Sequence, residues 1–245
     1  MTTARTLWKI TRLVLHILSG LFTIRLIFPR LTSTQKSERI EAWSHTLLER
    51  IAIQLVVTGS TPTAGPLLLA ANHISWLDIV VMQAAVPCRF VAKSDVRHWP
   101  LIGTLAAAAG TLFIARESSR DALRVVHQMA EHLQAGDMLA IFPEGTTSNG
   151  RQLLPFYANL FQAAIAANAP VLPVALQFSD VATGAVSVAP CYIDDDTLLA
   201  SIWRTLSAPP LLAEVRFGAS QPIQGRDRRT LSRDIRSAVD ALMTD

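Results

Sequence analysis

The stretch PLLLAANHISWLD, residues 66–78, carries the reading of both fold and chemistry. An apolar run of strand length, 66–71, exits through Asn72 and His73, then Ser75 and Trp76, and meets Asp78 five positions after the histidine. Two explanations compete. One is a capped helix start, with Asp78 in the first turn and His73 a polar bystander. The other is a general base held by an orienting carboxylate. A spacing of five does not place two side chains on one helical face, so the second reading requires part of the segment to be non-helical.

Outward from this stretch, short apolar segments alternate with helical ones. "SERIEAWSHTLLERIAIQLVVTG" (37–59) reads as an amphipathic helix running into a β-type stretch that ends at Gly59. Further strands are expected at 89–93, 111–114, 138–142, 171–176, 185–189 and 213–217. Helices are expected at 118–136, where Ala122, Val125, Val126, Met129 and Leu133 recur at helical spacing, at 159–170 and at 230–243. Apolar strands without alternation, interleaved with helices, predict an α/β fold: a mixed sheet flanked by helices.

The chain of 245 residues is long enough for one sizeable core with an appendage. Half of it is hydrophobic, with mean hydropathy +0.32, well short of a multi-spanning membrane protein. The net charge of +3 suggests an anionic partner or surface. No Lys/Arg-rich run or aromatic-interleaved basic patch accompanies it, which favours anionic lipid and argues against nucleic acid. Cys88 and Cys191 form no metal-type spacing and read as structural thiols in a reduced compartment.

Much of the hydrophobicity is N-terminal. "LVLHILSGLFTI" (13–24) is flanked by Arg5, Lys9 and Arg12 on one side and Arg25, Arg30 and Lys36 on the other. No small-residue cleavage site follows and basic residues do instead, so the segment is not expected to be a signal peptide. The clean run is short of the ~20 residues of a full span, and basic flanks suit a helix embedded in the cytoplasmic leaflet. The expectation is a membrane-associated helical segment over 1–45 and a catalytic domain over 46–245. It places the protein on the cytoplasmic face of the inner membrane, monotopic or single-span.

Three strand exits carry unusual polar sets: NHISWLD, the AR after TLFI, and the PEGTTSNG after MLAIF. Catalytic groups in α/β sheets concentrate at such exits. There is no Gly-x-Ser-x-Gly elbow, no phosphate-binding Gly-rich loop and no dinucleotide fingerprint. His127 and His132 face different ways on their helix and lack convergent ligands, so nothing calls for a metal or a cofactor. They, His16, His45 and His98 read as structural or surface histidines. What remains is a His/Asp pair, an arginine and a glutamate-glycine turn. That set suits proton abstraction from a hydroxyl, with a cation and backbone N–H groups holding an anion.

Four ordered blocks sharpen this. They are Asn72-His73 through Asp78, then Gly110, Phe113, Ile114 and Arg116, then Phe142 through Thr146, and Val171-Leu172-Pro173-Val174. With Lys93 in VAKSDVRHWPLIG (91–103), the chain resembles the glycerolipid (lysophospholipid) acyltransferase family over roughly residues 50–218. The resemblance implies an O-acyltransferase of phospholipid biosynthesis. It would move a fatty acyl group from acyl-CoA or acyl carrier protein to a lysolipid such as 1-acyl-glycerol-3-phosphate. His73 and Asp78 would be catalytic; Lys93, Arg116, Glu144, Gly145 and Thr146 would bind substrate. Lysophosphatidate-specific members commonly have arginine after E-G-T and F-K-x-G downstream, where this chain has Thr147, and Tyr157 with Asn159. F-P-E-G-T-T-S resembles relatives that acylate other lysolipids, including lyso-ornithine lipid. A catalytically idle lipid-binding protein on the same scaffold is the alternative of another class.

Overall fold

The structure is a computed structural model describing residues 3–114 and 119–244. Helices α1 (Thr3–Leu26) and α2 (Ser33–Arg50) lead into strand β1 (Ile53–Thr58). Then follow β2 (Leu67–Ala71), α3 (Leu77–Ala85), β3 (Arg89–Lys93), α4 (Ile102–Ala108) and β4 (Leu112–Ile114). The chain continues through α5 (Ser119–Gln134), β5 (Met138–Ile141), α6 (Gln162–Ala167) and β6 (Val171–Asp180). It ends with α7 (Leu198–Ser207), β7 (Leu211–Phe217) and α8 (Arg228–Thr244).

The strands form one seven-stranded sheet in the order β1-β7-β6-β2-β5-β3-β4. All neighbours are parallel except β6 and β7, so the sheet is mixed, as expected. β2 is the centre. Leu67, Leu69 and Ala71 point into a core with α2 and α3, while Leu68 and Ala70 point into a second core with α5, α6 and α8. Both faces are covered, which is why the strand is apolar at every position.

Several boundaries move for local reasons. α2 starts earlier than the expected 37 because Thr32 and Gln35 close a capping box, and it runs unbroken through residues 45 and 46. The 159–170 helix is a 3-10 turn, Ala158–Phe161, followed by α6, which stops at Asn168 in the left-handed region. α4 and α7 were not expected from the sequence, whereas α3 is the helix start weighed for the 72–78 segment, with Asp78 in its first turn.

The strand expected at 185–189 is not one. Only Ser179 and Val186 form a bridge, Val186 and Val188 stay exposed, and the chain turns at Asp180, whose carboxylate accepts from the N–H groups of Ala182 and Thr183. The segment after it is used elsewhere: Tyr192 N–H donates to the Ile74 carbonyl at 3.0 Å, closing a loop over the exit of β2.

Candidate active site

The C-terminal ends of β2, β3 and β5 share one sheet edge, and the polar exits seen in the sequence gather there. Asn72 extends the ladder past the end of β2 with its side chain. Its Nδ2 donates to the Leu176 carbonyl (3.0 Å) and its Oδ1 accepts from Leu176 N–H (2.7 Å), tying the exit to β6. Residues 72–76 are non-helical and α3 begins at Leu77, so His73 and Asp78 meet across the bend that their spacing required.

His73 Nδ1 lies 2.7 Å from Asp78 Oδ2. The same oxygen accepts from the N–H groups of Ile74 (2.6 Å) and Ser75 (2.9 Å). An oxygen already accepting from two backbone N–H groups accepts from Nδ1–H as well, which leaves Nε2 as the ring nitrogen for proton transfer. Asp78 is fully buried, while the imidazole keeps 20% of its surface. The His73 ring stacks on Phe142 with centroids 3.9 Å apart and planes at 8°, which fixes its plane.

Glu144 braces the histidine from behind. Its Oε1 accepts from His73 N–H (2.7 Å) and its Oε2 from Leu154 N–H (2.9 Å). Burial pushes this carboxyl up from its ordinary range, against the downward pull of the two amides and of His73. Ser148 N–H donates to the His73 carbonyl at 2.8 Å, so the 142–148 turn clamps both sides of the His73 backbone. Gly145, at φ +71, makes that turn, a conformation that would strain any residue with a side chain. Thr146 is exposed, and Thr147 donates its hydroxyl to the Tyr192 carbonyl.

Lys93 is exposed at the end of β3, on the same edge. Arg116 lies outside the described residues. Burial raises both thiols, Cys88 to about 12, in keeping with structural rather than reactive roles.

His73 lines an apolar cavity of about 510 Å³. Trp76, Thr147 and Tyr192 line it with His73, and Leu13 and Gly20 of α1, Trp43 of α2 and Leu105 of α4 complete its walls. Sequence reading missed these walls, because residues far apart in the chain build one surface and no local pattern marks them. It also passed over a second H-x-x-x-x-D. His132 Nδ1 and Asp137 Oδ2 are likewise 2.7 Å apart, but Asp137 sits before β5 at the opposite edge and also pairs with Arg89 at 3.1 Å. Spacing and distance are therefore the same in both pairs. The cavity singles out His73.

A family model described as Acyltransferase matches residues 54–177. The chain is 41% identical over 179 residues to a 1-acyl-sn-glycerol-3-phosphate acyltransferase of Neisseria gonorrhoeae, covering 73% of this chain and 69% of that protein. The chain belongs to the acyltransferase family.

Within this acyltransferase family it is also 38% identical over 197 residues to a lyso-ornithine lipid O-acyltransferase of Pseudomonas aeruginosa, covering 80% of this chain and 75% of that one. The crystal structure of the 1-acyl-sn-glycerophosphate (LPA) acyltransferase PlsC from Thermotoga maritima superposes with a TM-score of 0.74. It covers 98% of this chain and 94% of that chain at 21% identity, which establishes the shared fold.

Proposed function

We propose that the protein transfers a fatty acyl group from an acyl thioester to the free hydroxyl of a lysolipid. The observation that carries this reading is the His73–Asp78 pair, with His73 lining an apolar cavity able to take an acyl chain. The acceptor hydroxyl gives its proton to His73 Nε2 as its oxygen attacks the thioester carbonyl. Asp78 stabilises the imidazolium through Nδ1. Collapse of the tetrahedral adduct expels the thiolate, which takes the proton back from His73 and leaves as a thiol. The ester forms without an acyl-enzyme. Glu144 acts through the backbone, as a positioning residue. Lys93, Arg116 and the Gly145-Thr146 turn hold the acceptor head group.

For the acceptor, 1-acyl-glycerol-3-phosphate or a related lysophospholipid is the first reading. Lyso-ornithine lipid is the second, favoured by Thr147: the side chain lining the cavity at this position is a hydroxyl tied to a main-chain carbonyl and not a cation. Residues 1–45 attach the protein to the cytoplasmic leaflet of the inner membrane, and residues 46–245 carry out catalysis. A panel of lysolipids with an acyl-thioester donor, with products identified by mass spectrometry, tests the reading. A new diacyl product with stoichiometric thiol release supports it. Thiol release independent of any acceptor would mark a hydrolase, and no release at all an idle lipid-binding protein.

A further inference from the structure

An open surface pocket of about 450 Å³ lies on the α8 side of the sheet, away from the acyl cavity. Its size is within the ~300–1,000 Å³ of small-molecule sites. Pro155, Phe156 and Ala158 form one wall, and Arg229, Arg233 and Arg236 of α8 the other. Sequence reading finds no basic run here because Asp227 and Asp234 interrupt it. Helical spacing nevertheless puts the three arginines on one stripe.

The acids are otherwise engaged. Asp227, whose charge also acts on Arg229, caps α8 by accepting from the N–H groups of Arg229 (2.8 Å) and Thr230 (2.8 Å), and Asp234 pairs with Arg226 at 2.8 Å. Arg236 donates to the carbonyls of Leu153 and Leu154, fixing the wall. Arg229 and Arg233 are exposed, and neither guanidinium donates a hydrogen bond within the described residues. Arginine in the first turn also works against the helix dipole, where acids are the stabilising choice. An anion held between the two guanidinium groups would offset that cost.

The pocket is within reach of the reacting centre. Glu144 spans from His73 N–H to Leu154 N–H, and Phe156 follows two residues later. Two extended residues add about 7 Å, which puts the pocket wall on the order of 15 Å from His73 along that path.

We infer that this pocket binds the nucleotide end of a coenzyme A thioester. Arg229 and Arg233 take its phosphates and Phe156 its purine, while the pantetheine arm crosses the Glu144 loop and delivers the acyl carbonyl to His73. The inference rests on the acyl-transfer reading and assigns its donor class. Guanidinium forks match phosphate oxygens bidentately, and an aromatic ring beside them suits a nucleotide better than a protein carrier's surface or a lipid head group. A donor whose nucleotide and thioester are separated by a long arm needs two subsites set apart, as these are.

The test compares full-length wild type, the double variant Arg229→Ala/Arg233→Ala, and Arg228→Ala, which removes the same kind of charge outside the pocket. Binding of free coenzyme A is measured by calorimetry, and donor and acceptor KM with palmitoyl-CoA. The double variant is expected to weaken coenzyme A binding and raise donor KM about tenfold to a hundredfold, with acceptor KM unmoved and Arg228→Ala like wild type. Equal coenzyme A affinity in wild type and double variant overturns the inference. So does an equal loss in Arg228→Ala, which makes the effect diffuse charge. A defect confined to acyl carrier protein as donor, or to binding of phosphatidylglycerol vesicles, also overturns it. Absence of acyl transfer with coenzyme A affinity still dependent on the two arginines would sink the proposed function and leave this site standing.

Discussion

His73 and Asp78 form one unit, yet their substitution has different costs. His73→Ala removes a partly exposed ring and is expected to lower kcat by about 10²–10⁴ while the fold survives. Asp78→Ala also strips the partner from the buried N–H groups of Ile74 and Ser75. Each amide left unsatisfied costs about 1–3 kcal/mol, so this variant should lose activity and melt earlier. Thermal melts beside kinetics separate the two effects, and near-normal turnover in a stable His73→Ala protein would refute the general-base role. Thr147 tests the acceptor. Replacing it with arginine supplies a cation in the cavity lining, and Thr147→Arg should raise kcat/KM for lysophosphatidate relative to lyso-ornithine lipid by about tenfold. Strict lysophosphatidate preference in the wild type with no gain in the variant would mean that Arg151 or another cation already fills the place.

Between elements, the crossing of α1 over α2 sets the depth of the acyl cavity. His16 stacks on Trp43 at 4.7 Å, and its Nε2 hydrogen-bonds the Trp43 carbonyl at 2.9 Å. Gly20 is what lets the helices come so close: a Cβ there would lie 2.7 Å from Trp43 Nε1 and 3.4 Å from Leu105 Cδ2. Glycine within a helix costs about 1 kcal/mol against alanine, a loss that the close approach explains. Since Gly20, Trp43 and Leu105 all line the cavity, Gly20→Val should crowd it and shift the preferred donor to shorter acyl chains. Rates across a series of acyl lengths measure this; an unchanged optimum would show that the chain does not reach Gly20.

At the scale of the molecule, α1 is inside out. Thr6, Lys9 and His16 are on its buried side with Leu13 and Gly20, while Leu7, Trp8, Leu15, Leu18 and Phe22 face outward. A helix of 24 residues that holds an 18-residue window of mean hydropathy 1.4 is long and apolar enough to cross a membrane by length and composition. Its inner side, however, packs on α2, α4 and α7, and an outward apolar face beside basic flanks suits one leaflet. Each outward Leu or Phe transferred into lipid contributes about 1.5–3 kcal/mol. The full-length protein is expected in the membrane fraction, resistant to salt and released by detergent. Leu15→Ser/Phe22→Ser should shift it toward the soluble fraction with the fold intact. A wild-type chain wholly soluble at low salt without detergent would overturn the attachment.

Much of this was legible one segment at a time. Apolar runs bounded by polar exits marked seven of the strand regions, most plainly β2, β5 and β6, whose burial on both faces keeps them apolar along their length. The spacing of His73 and Asp78 already demanded a non-helical bend. Other features have no local signature. Nothing in F-P-E-G-T says that Glu144 points back at the His73 backbone, since that depends on where β5 stops beside β2. The segment 185–189 has the composition of a strand, but Asp180 turns the chain and the loop beyond it closes over the exit of β2. Two H-x-x-x-x-D pairs are alike in sequence and in distance, and only the sheet edge and the cavity tell them apart. The residue chemistry of the site is local and could be read from the chain. The choice among candidate sites, the acyl cavity and the arginine pocket came from long-range packing, because each brings together side chains from helices and loops far apart in sequence.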